Sequence, residues 1–352
     1  MGVDLKDLIP EDAKSKIADL RLLRGKIVAI DAYNALYQFL TAIRQPDGTP
    51  LMDSQGRITS HLSGLFYRTI NLVENGIKPV YVFDGTPPEL KAKEIERRKA
   101  VREDALKKYE EAVKSGDLES ARKYAIIASK LTIDMVNEAK RLLEAMGIPY
   151  VDAPAEGEAQ AAYMAKVGDA YASASQDYDS LLFGSPRLIR NLTISGKRKL
   201  PRRDEYVEIV PEIIELSKLL KALGITHEAL VDIGILIGTD YNPDGFENIG
   251  PKRACQLIKT YGSIEKIPKG LLKSPVPIDV VSIKKYFLNP PVTKNYKLEW
   301  RAPDEKLVME ILVKDHDFSE ERVKNALERL VKAYREYIKG EQIGLSKWFT
   351  KK

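Results

Sequence analysis

Cysteine is almost missing from this 352-residue chain, which has only Cys255. No internal disulfide is possible, and a reducing compartment is expected. Histidine is nearly as scarce: His61, His227 and His316 stand far apart, none at metal-ligand spacing. Zinc chemistry and a histidine-based nucleophile triad are therefore not expected. Long apolar runs are missing too, and the longest, near Ile233 to Ile237, falls far short of a bilayer. The start, Met1-Gly2-Val3-Asp4-Leu5-Lys6, lacks a signal-peptide pattern, and Lys6 stands where myristoylation needs Ser or Thr.

What is abundant is charge. Net charge is only +5, yet Lys and Arg cluster at Lys91 to Lys108, Lys197 to Arg203 and Lys252 to Lys259. Any one such cluster also reads as a solvated surface. Several around an acidic pocket suit a polyanion. The acidic feature is the pair Glu156-x-Glu158, followed by Asp177-x-Asp179. A helix-like segment, Ala159 to Val167, and an apolar strand candidate, Tyr171 to Ser175, lie between them. Four carboxylates at one end of a helix and one end of a strand form a hard-oxygen site. Mg²⁺ or Mn²⁺ prefers such ligands.

Two further strands end in acids. Lys26 to Ala32 reads KIVAIDA with Asp31 near its end, and Lys78 to Gly85 reads KPVYVFDG with Asp84. Both look like buried parallel strands. Tyr33 to Ile43 and Ser60 to Glu74 have helical character, and the second suits a crossover. A lone Asp after a strand is commonly a cap or turn residue. Three acid-ended strands predict a shared site, because open α/β sheets bind ligands outside the carboxyl ends of their strands.

After Pro87-Pro88 comes a charged helical segment to Lys114, broken by Gly116 and followed by a second helix from about Leu118 to Met146. Lys91 and Arg98, seven apart, share a face of the first. The segment reads as a solvent-exposed hairpin or, placed directly after Asp84, as a basic arch over the acids. Further on, Ser180 to Pro201 reads as β structure and loops with a turn at Phe183 to Pro186. Pro211 to Leu223 is predicted helical, ended by Gly224. Thr226 caps a helix from His227 to Ile237, which leads into Gly238-Thr239-Asp240-Tyr241. Asn248-Ile249-Gly250-Pro251-Lys252-Arg253-Ala254 is a glycine hairpin entering a helix, suited to phosphate binding without sequence preference. Lys294 to Lys339 is predicted helical. In the tail after Lys339, Leu345, Trp348 and Phe349 fall on one face of a single turn, which suggests a partner pocket.

Together these residues resemble the flap endonucleases of the XPG-type structure-specific nuclease family, nearly end to end. The specific segments are VFDGTPPELK (Val82 to Lys91), EGEAQAA (Glu156 to Ala162), GTDY (Gly238 to Tyr241) and IGPKRA (Ile249 to Ala254). The tail, with Gln342, is similar to a motif that binds the sliding clamp (PCNA). The resemblance implies an α/β fold: a mostly parallel twisted sheet, helices on both faces, a helical arch over about 88–135 and a helix-hairpin-helix element over about 226–262. A single nuclease domain would span 1–338, with C-terminal helices over 263–338 and a tail over 339–352.

Residue roles follow from the same resemblance. Asp31, Asp84, Glu156, Glu158, Asp177, Asp179 and Asp240 would form a two-Mg²⁺ cluster, with Mn²⁺ as a substitute. Lys91 and Arg98 would contact the scissile phosphate, and Tyr37 would lie near the first turned-out base. Gly250, Lys252 and Arg253 would hold duplex DNA, with a K⁺ ion at that hairpin. Arg44 and Thr59 match positions near a pocket for a one-nucleotide 3′ flap, and His316 departs from the lysine common beside it. The implied activity is 5′ flap endonuclease and 5′-3′ exonuclease cleavage of branched DNA in Okazaki fragment maturation and repair. The protein would act as a cytoplasmic, archaeal-type monomer; a nuclear site would need a eukaryotic source. A Mg²⁺ phosphatase using Asp177 and Asp179 leaves the other acids without a role. A non-catalytic clamp-binding protein leaves all of them so.

Overall fold

The computed structural model describes residues 2–45, 48–194, 196–199, 206–274 and 278–340. Gln342, Leu345, Trp348 and Phe349 lie outside the described residues, as do residues 200–203 of the second basic cluster. The chain begins with β1 (Lys14–Lys16), β2 (Ile27–Asp31), α1 (Ala32–Ala42), α2 (Ser60–Glu74) and β3 (Lys78–Phe83). Next come α3 (Ala92–Ser115), α4 (Leu118–Ile127), α5 (Ile133–Ala145), β4 (Tyr150–Asp152), α6 (Gly157–Val167) and β5 (Ala172–Ala174). Then follow α7 (Asp179–Leu182), β6 (Arg187–Arg190), β7 (Gly196–Lys199), β8 (Tyr206–Ile209) and β9 (Glu212–Glu215). The last helices are α8 (Leu216–Leu223), α9 (His227–Ile237), α10 (Pro251–Tyr261), α11 (Val280–Leu288), α12 (Glu305–Met309) and α13 (Glu320–Ala333).

Seven strands form one sheet in the order β1-β9-β6-β5-β2-β3-β4. Strands β6, β5, β2, β3 and β4 run parallel, whereas β9 and β1 add antiparallel at one edge. The continuous apolar character of β2 and β3 follows from burial on both faces. Val28, Ile30, Tyr81 and Phe83 pack on one face with Leu36, Phe39, Phe66 and Leu142 of α1, α2 and α5. Ala29, Val80 and Val82 point the other way, onto Ala161 and Met164 of α6. Each large apolar side chain so enclosed contributes about 1.5–3 kcal/mol. A separate core joins α7 to α11 with Val3, Leu5 and Leu8 of the N-terminal segment.

The chain builds β2, β3 and β4 to one side, then crosses back to place β5 on the other side of β2. That reversal opens a crevice outside the carboxyl ends of β2 and β5. Asp31 closes β2 there, Asp84 follows β3, and Asp177 and Asp179 follow β5.

Four predicted elements differ from what folds, the first being Ser180 to Leu182, which belongs to the one-turn helix α7 and not to β structure or loop. Pro211 to Leu223 is not one helix: Glu212–Glu215 is β9, paired on both sides with β6 and β1. Its paired isoleucines gain more in a ladder than in a helix turn. Leu118 to Met146 divides into α4 and α5, because the Thr132 side chain accepts from Met135 N and starts a new helix. Lys294 to Lys339 is helical only over residues 305–314 and 320–339; residues 290–304 run without helix, and there Trp300 Nε1 donates to Pro79 O of β3.

Candidate active site

Each acid of the crevice is fixed by the element that carries it. The Asp31 carboxylate caps α1, with Oδ1 accepting from Asn34 N at 2.9 Å. Asp84 Oδ1 accepts from Gly157 N, 2.7 Å away at the start of α6. A Cβ on Gly157 would lie 2.8 Å from that oxygen and 2.8 Å from Val82 O, so only glycine allows this approach. Glu156 stands at the N-cap of α6 and Glu158 in its first turn. Ser175 Oγ donates to Glu158 Oε1. Asp179 opens α7, and its Oδ1 accepts from Val3 N at 2.7 Å. Asp177 Oδ2 accepts from Asn34 Nδ2 at 3.3 Å.

The arch supplies the positive charge. Helices α3 and α4 form a hairpin, turned by Gly116 in the left-handed region (φ 74°). Lys91, just before α3, places Nζ 2.6 Å from Glu156 Oε1 and 2.9 Å from Asp240 Oδ2. Two turns along, Arg98 Nη2 donates to Asp240 Oδ1 at 2.7 Å. Buried Glu94 accepts from both Arg97 and Arg98 and so aims the Arg98 guanidinium into the crevice. Tyr241 OH donates to Glu156 Oε2 at 2.6 Å.

The acids crowd one another out of water. Burial, then the charge of Asp84, pushes Asp31 well above the usual carboxylate range. Burial raises Asp84 to about 6. Burial, then Asp179, raises Glu158 well above its ordinary value. Asp179 is raised to about 7 by burial and then by Asp240 and Asp177. Asp240 goes the other way: burial opposes ionisation, but Lys91 and Arg98 outweigh it and hold this carboxyl low.

The structure brings these acids to the carboxyl ends of β2, β3 and β5 and the start of α6. Among the described residues no three carboxylates converge tightly enough to enclose an ion. Lys91 and Arg98 supply positive charge to Glu156 and Asp240 within this set. The donor set still fits divalent cations: hard oxygens only, buried, with an unmet demand for positive charge.

Other expected residues fall at several places. Tyr37 is 41% exposed on α1, so it is not a core aromatic. Gly250 caps α10, Lys252 and Arg253 are exposed beside it, and a Cβ on Gly250 would meet open space. The fold does not require glycine there, and the bare backbone leaves room for a close phosphate. Arg44 donates to Ser129 Oγ at 2.5 Å, tying the α1–α2 connection to the segment after α4. Thr59 is buried before α2. His316 is buried, 3.1 Å from Asp53 Oδ2 and 3.3 Å from Glu138 Oε1. Sequence reasoning missed Gly2, Asn34, Glu94, Gly157 and Tyr241. Tyr241 and Gly157 lie inside the quoted segments, but their contacts span long sequence separations that no local pattern reveals.

Residues 1–105 match the XPG N-terminal domain and residues 147–240 the XPG I-region. Flap endonuclease 1 of Staphylothermus marinus is 71% identical over 350 residues, covering 99% of this chain and 100% of that protein. Flap endonuclease 1 of Hyperthermus butylicus is 68% identical over 351 residues, covering 100% of both. The solved flap endonuclease-1 from Methanococcus jannaschii superposes with a TM-score of 0.75 at 46% identity, over 95% of this chain and 99% of that one. The catalytic core of Rad2, solved with a DNA substrate, shares the fold at 23% identity and a TM-score of 0.69, over 94% and 100% of the two chains. Acids at the carboxyl edge of a parallel sheet, under a cationic arch, define a structure-specific nuclease. Within that class the chain belongs to the flap endonuclease family. The phosphatase and non-catalytic readings give way to that membership.

Proposed function

We propose that this chain hydrolyses DNA at 5′ flaps, near the junction of single strand and duplex, with divalent cations held by the acidic crevice. The observation that carries this reading is the reach of Lys91 and Arg98 from the arch to Glu156 and Asp240. Cationic and anionic groups meet there where a phosphodiester would have to sit. Asp31, Asp84, Glu156, Glu158, Asp177, Asp179 and Asp240 would hold two ions, Mg²⁺ with Mn²⁺ as substitute. Bound there, the ions would acidify water and neutralise charge on the leaving oxygen.

The chain's own side chains do the rest. Lys91 and Arg98 leave their carboxylates for the equatorial oxygens of the phosphate, offsetting the charge that builds there. Tyr37 offers an exposed ring on which an unstacked base rests. The exposed start of α10, with Gly250, Lys252 and Arg253, binds the duplex backbone, and a K⁺ ion would sit at this hairpin. Arg44 and Thr59 would border a site for a single 3′ nucleotide beside His316. Gln342, Leu345, Trp348 and Phe349 would dock on a sliding clamp, in keeping with work on Okazaki fragments and repair. No helix among the described residues is long and apolar enough to cross a membrane, and the archaeal relatives support a cytoplasmic site.

A labelled 5′-flap duplex tests the reading. Mg²⁺ should give a short labelled product at the junction and EDTA should abolish it. An intact flap in Mg²⁺ would refute it.

A further inference from the structure

The turn that carries Asp177 and Asp179 is held by side chains rather than by the sheet. The last bond joining β5 to β6 here is Ser175 N to Ile189 O, at 3.2 Å. Beyond it, Gln176 N donates to Asn34 Oδ1 at 3.4 Å, and Gln176 O accepts from Arg190 Nε at 3.0 Å. One residue, Gln176, is thus gripped through its N–H from α1 and through its C=O from the end of β6.

Arg190 does more than hold that carbonyl. Its Nη1 donates to Tyr178 OH at 2.5 Å, and its guanidinium carbon lies 4.1 Å from the centroid of the Tyr178 ring. Nη1 also pairs with Glu212 Oε1 on β9 at 2.9 Å. Tyr178 separates the two acids in sequence, so holding its ring and the preceding Gln176 carbonyl restrains the stretch of backbone that carries both carboxylates. A planar five-donor fork that stacks and bonds at once has no equivalent in lysine.

We infer that Arg190 is a positioning residue for the reaction, holding the Gln176–Tyr178 turn so that Asp177 and Asp179 face the crevice. This rests on the reading that those two acids hold divalent cations. Partners that orient metal ligands typically alter metal affinity 10–100-fold when removed. The contacts that Arg190 makes among the described residues, with Gln176, Tyr178 and Glu212, include none of the crevice acids, so its loss should act on metal binding and leave DNA binding alone.

The test is calorimetric titration of Mn²⁺ into DNA-free protein, beside the Mn²⁺ midpoint of flap cleavage and the flap Kd measured in Ca²⁺. Arg190→Gln should weaken Mn²⁺ binding about tenfold or more and raise the cleavage midpoint in step, with the flap Kd unchanged. Arg190→Lys should recover only part of the loss. Glu212→Gln removes the β9 partner but leaves the grip on the turn, and should keep the wild-type midpoint. Tyr178→Phe, which deletes one hydroxyl and keeps the packed ring, should shift the midpoint in the same direction by a smaller factor. It serves if Arg190→Gln fails to fold. Wild-type Mn²⁺ affinity in both Arg190→Gln and Tyr178→Phe would overturn the inference. So would an equal shift in Glu212→Gln, which would show a general packing role. Asp179→Asn separates this from the underlying reading: if it binds Mn²⁺ and cuts like wild type, the acids do not hold the ion, whatever Arg190 does.

Discussion

Lys91 Nζ lies 2.6 Å from Glu156 Oε1, so the arch places its first cation inside the acidic crevice. The lysine neutralises charge that burial would otherwise make costly. Burial disfavours the Lys91 cation, but Glu156 and Asp240 more than compensate and keep it firmly protonated. Lys91→Ala should therefore lower the melting temperature of metal-free protein, and Mn²⁺ should recover more of it than in wild type. In single-turnover cleavage the same variant should lose about 10²–10³ in rate, the scale of one preorganised charge donor, with flap Kd nearly unchanged. Equal losses in rate and binding would reduce Lys91 to a DNA contact.

The pH dependence of metal binding follows from the raised acids. Asp84 at about 6 and Asp179 at about 7 lie above the ordinary carboxylate value. Groups raised in this way stabilise the fold below the unfolded value near 4. That contribution is lost as pH rises through the folded values, while the ionised acids become available to a cation. Thermal stabilisation by Mn²⁺ should thus grow from pH 5 to pH 8, and binding should release protons. Calorimetry in buffers of different ionisation enthalpy measures that release; a pH-independent shift with no protons released would contradict the account.

Legibility in the sequence divides by range. Asp31 and Asp84 could be placed because one ends and the other follows an apolar run whose burial on both faces erases alternation, and the Asp177–Asp179 turn because it follows the short buried strand Ala172–Ala174. β4 and β9 could not. Tyr150–Asp152 is only three residues long, and Glu212–Glu215 is flanked by acids and defined by partners on both sides. The crevice acids were legible as a set, yet their supports were not. Gly157 beside Asp84, Tyr241 on Glu156 and Arg190 on Gln176 are joined by the fold alone.

Gly2 illustrates such a support. A Cβ at this position would lie 2.6 Å from both carboxylate oxygens of Asp179, which Val3 N already holds. Gly2→Ala should push that carboxylate aside. A displacement on the order of 1 Å costs about 10²-fold in rate, so single-turnover cleavage should fall by tenfold or more with the melting temperature little changed. Wild-type cleavage would show that Asp179 tolerates the shift.

His316 forms a separate buried charge group with Asp53 and Glu138, and Arg57 faces the same Asp53. Its bond to Glu138 raises the imidazole above its ordinary value despite burial. Burial opposes the Glu138 charge, but His316 and His61 hold it down to about 2. The raised imidazole stabilises the fold below its unfolded value of about 6.5 and loses that effect as pH rises through the folded value. The depressed Glu138 contributes above its own unfolded value, about 4.3, and fails only as pH falls toward 2. Wild type should thus exceed His316→Gln in melting temperature most between about pH 4.5 and 6.5, with the gap narrowing toward pH 9. A gap constant with pH would mean that packing, not charge, holds this corner.

For the tail, deletion from Gly340 onward should remove stimulation by a sliding clamp and leave intrinsic cutting intact. An equal fall without the clamp would make the tail part of the nuclease itself.

The account stands most directly on single-turnover cleavage of a labelled 5′ flap in saturating Mg²⁺ by Asp179→Asn beside wild type, with flap binding measured in Ca²⁺. The carboxylate is buried, faces Asp177 and Asp240, and is the acid that the N-terminal segment grips. The expected result is undiminished flap binding with cleavage slowed by several orders of magnitude. Cleavage by Asp179→Asn at the wild-type rate would contradict the assignment of the acidic crevice as the reaction centre.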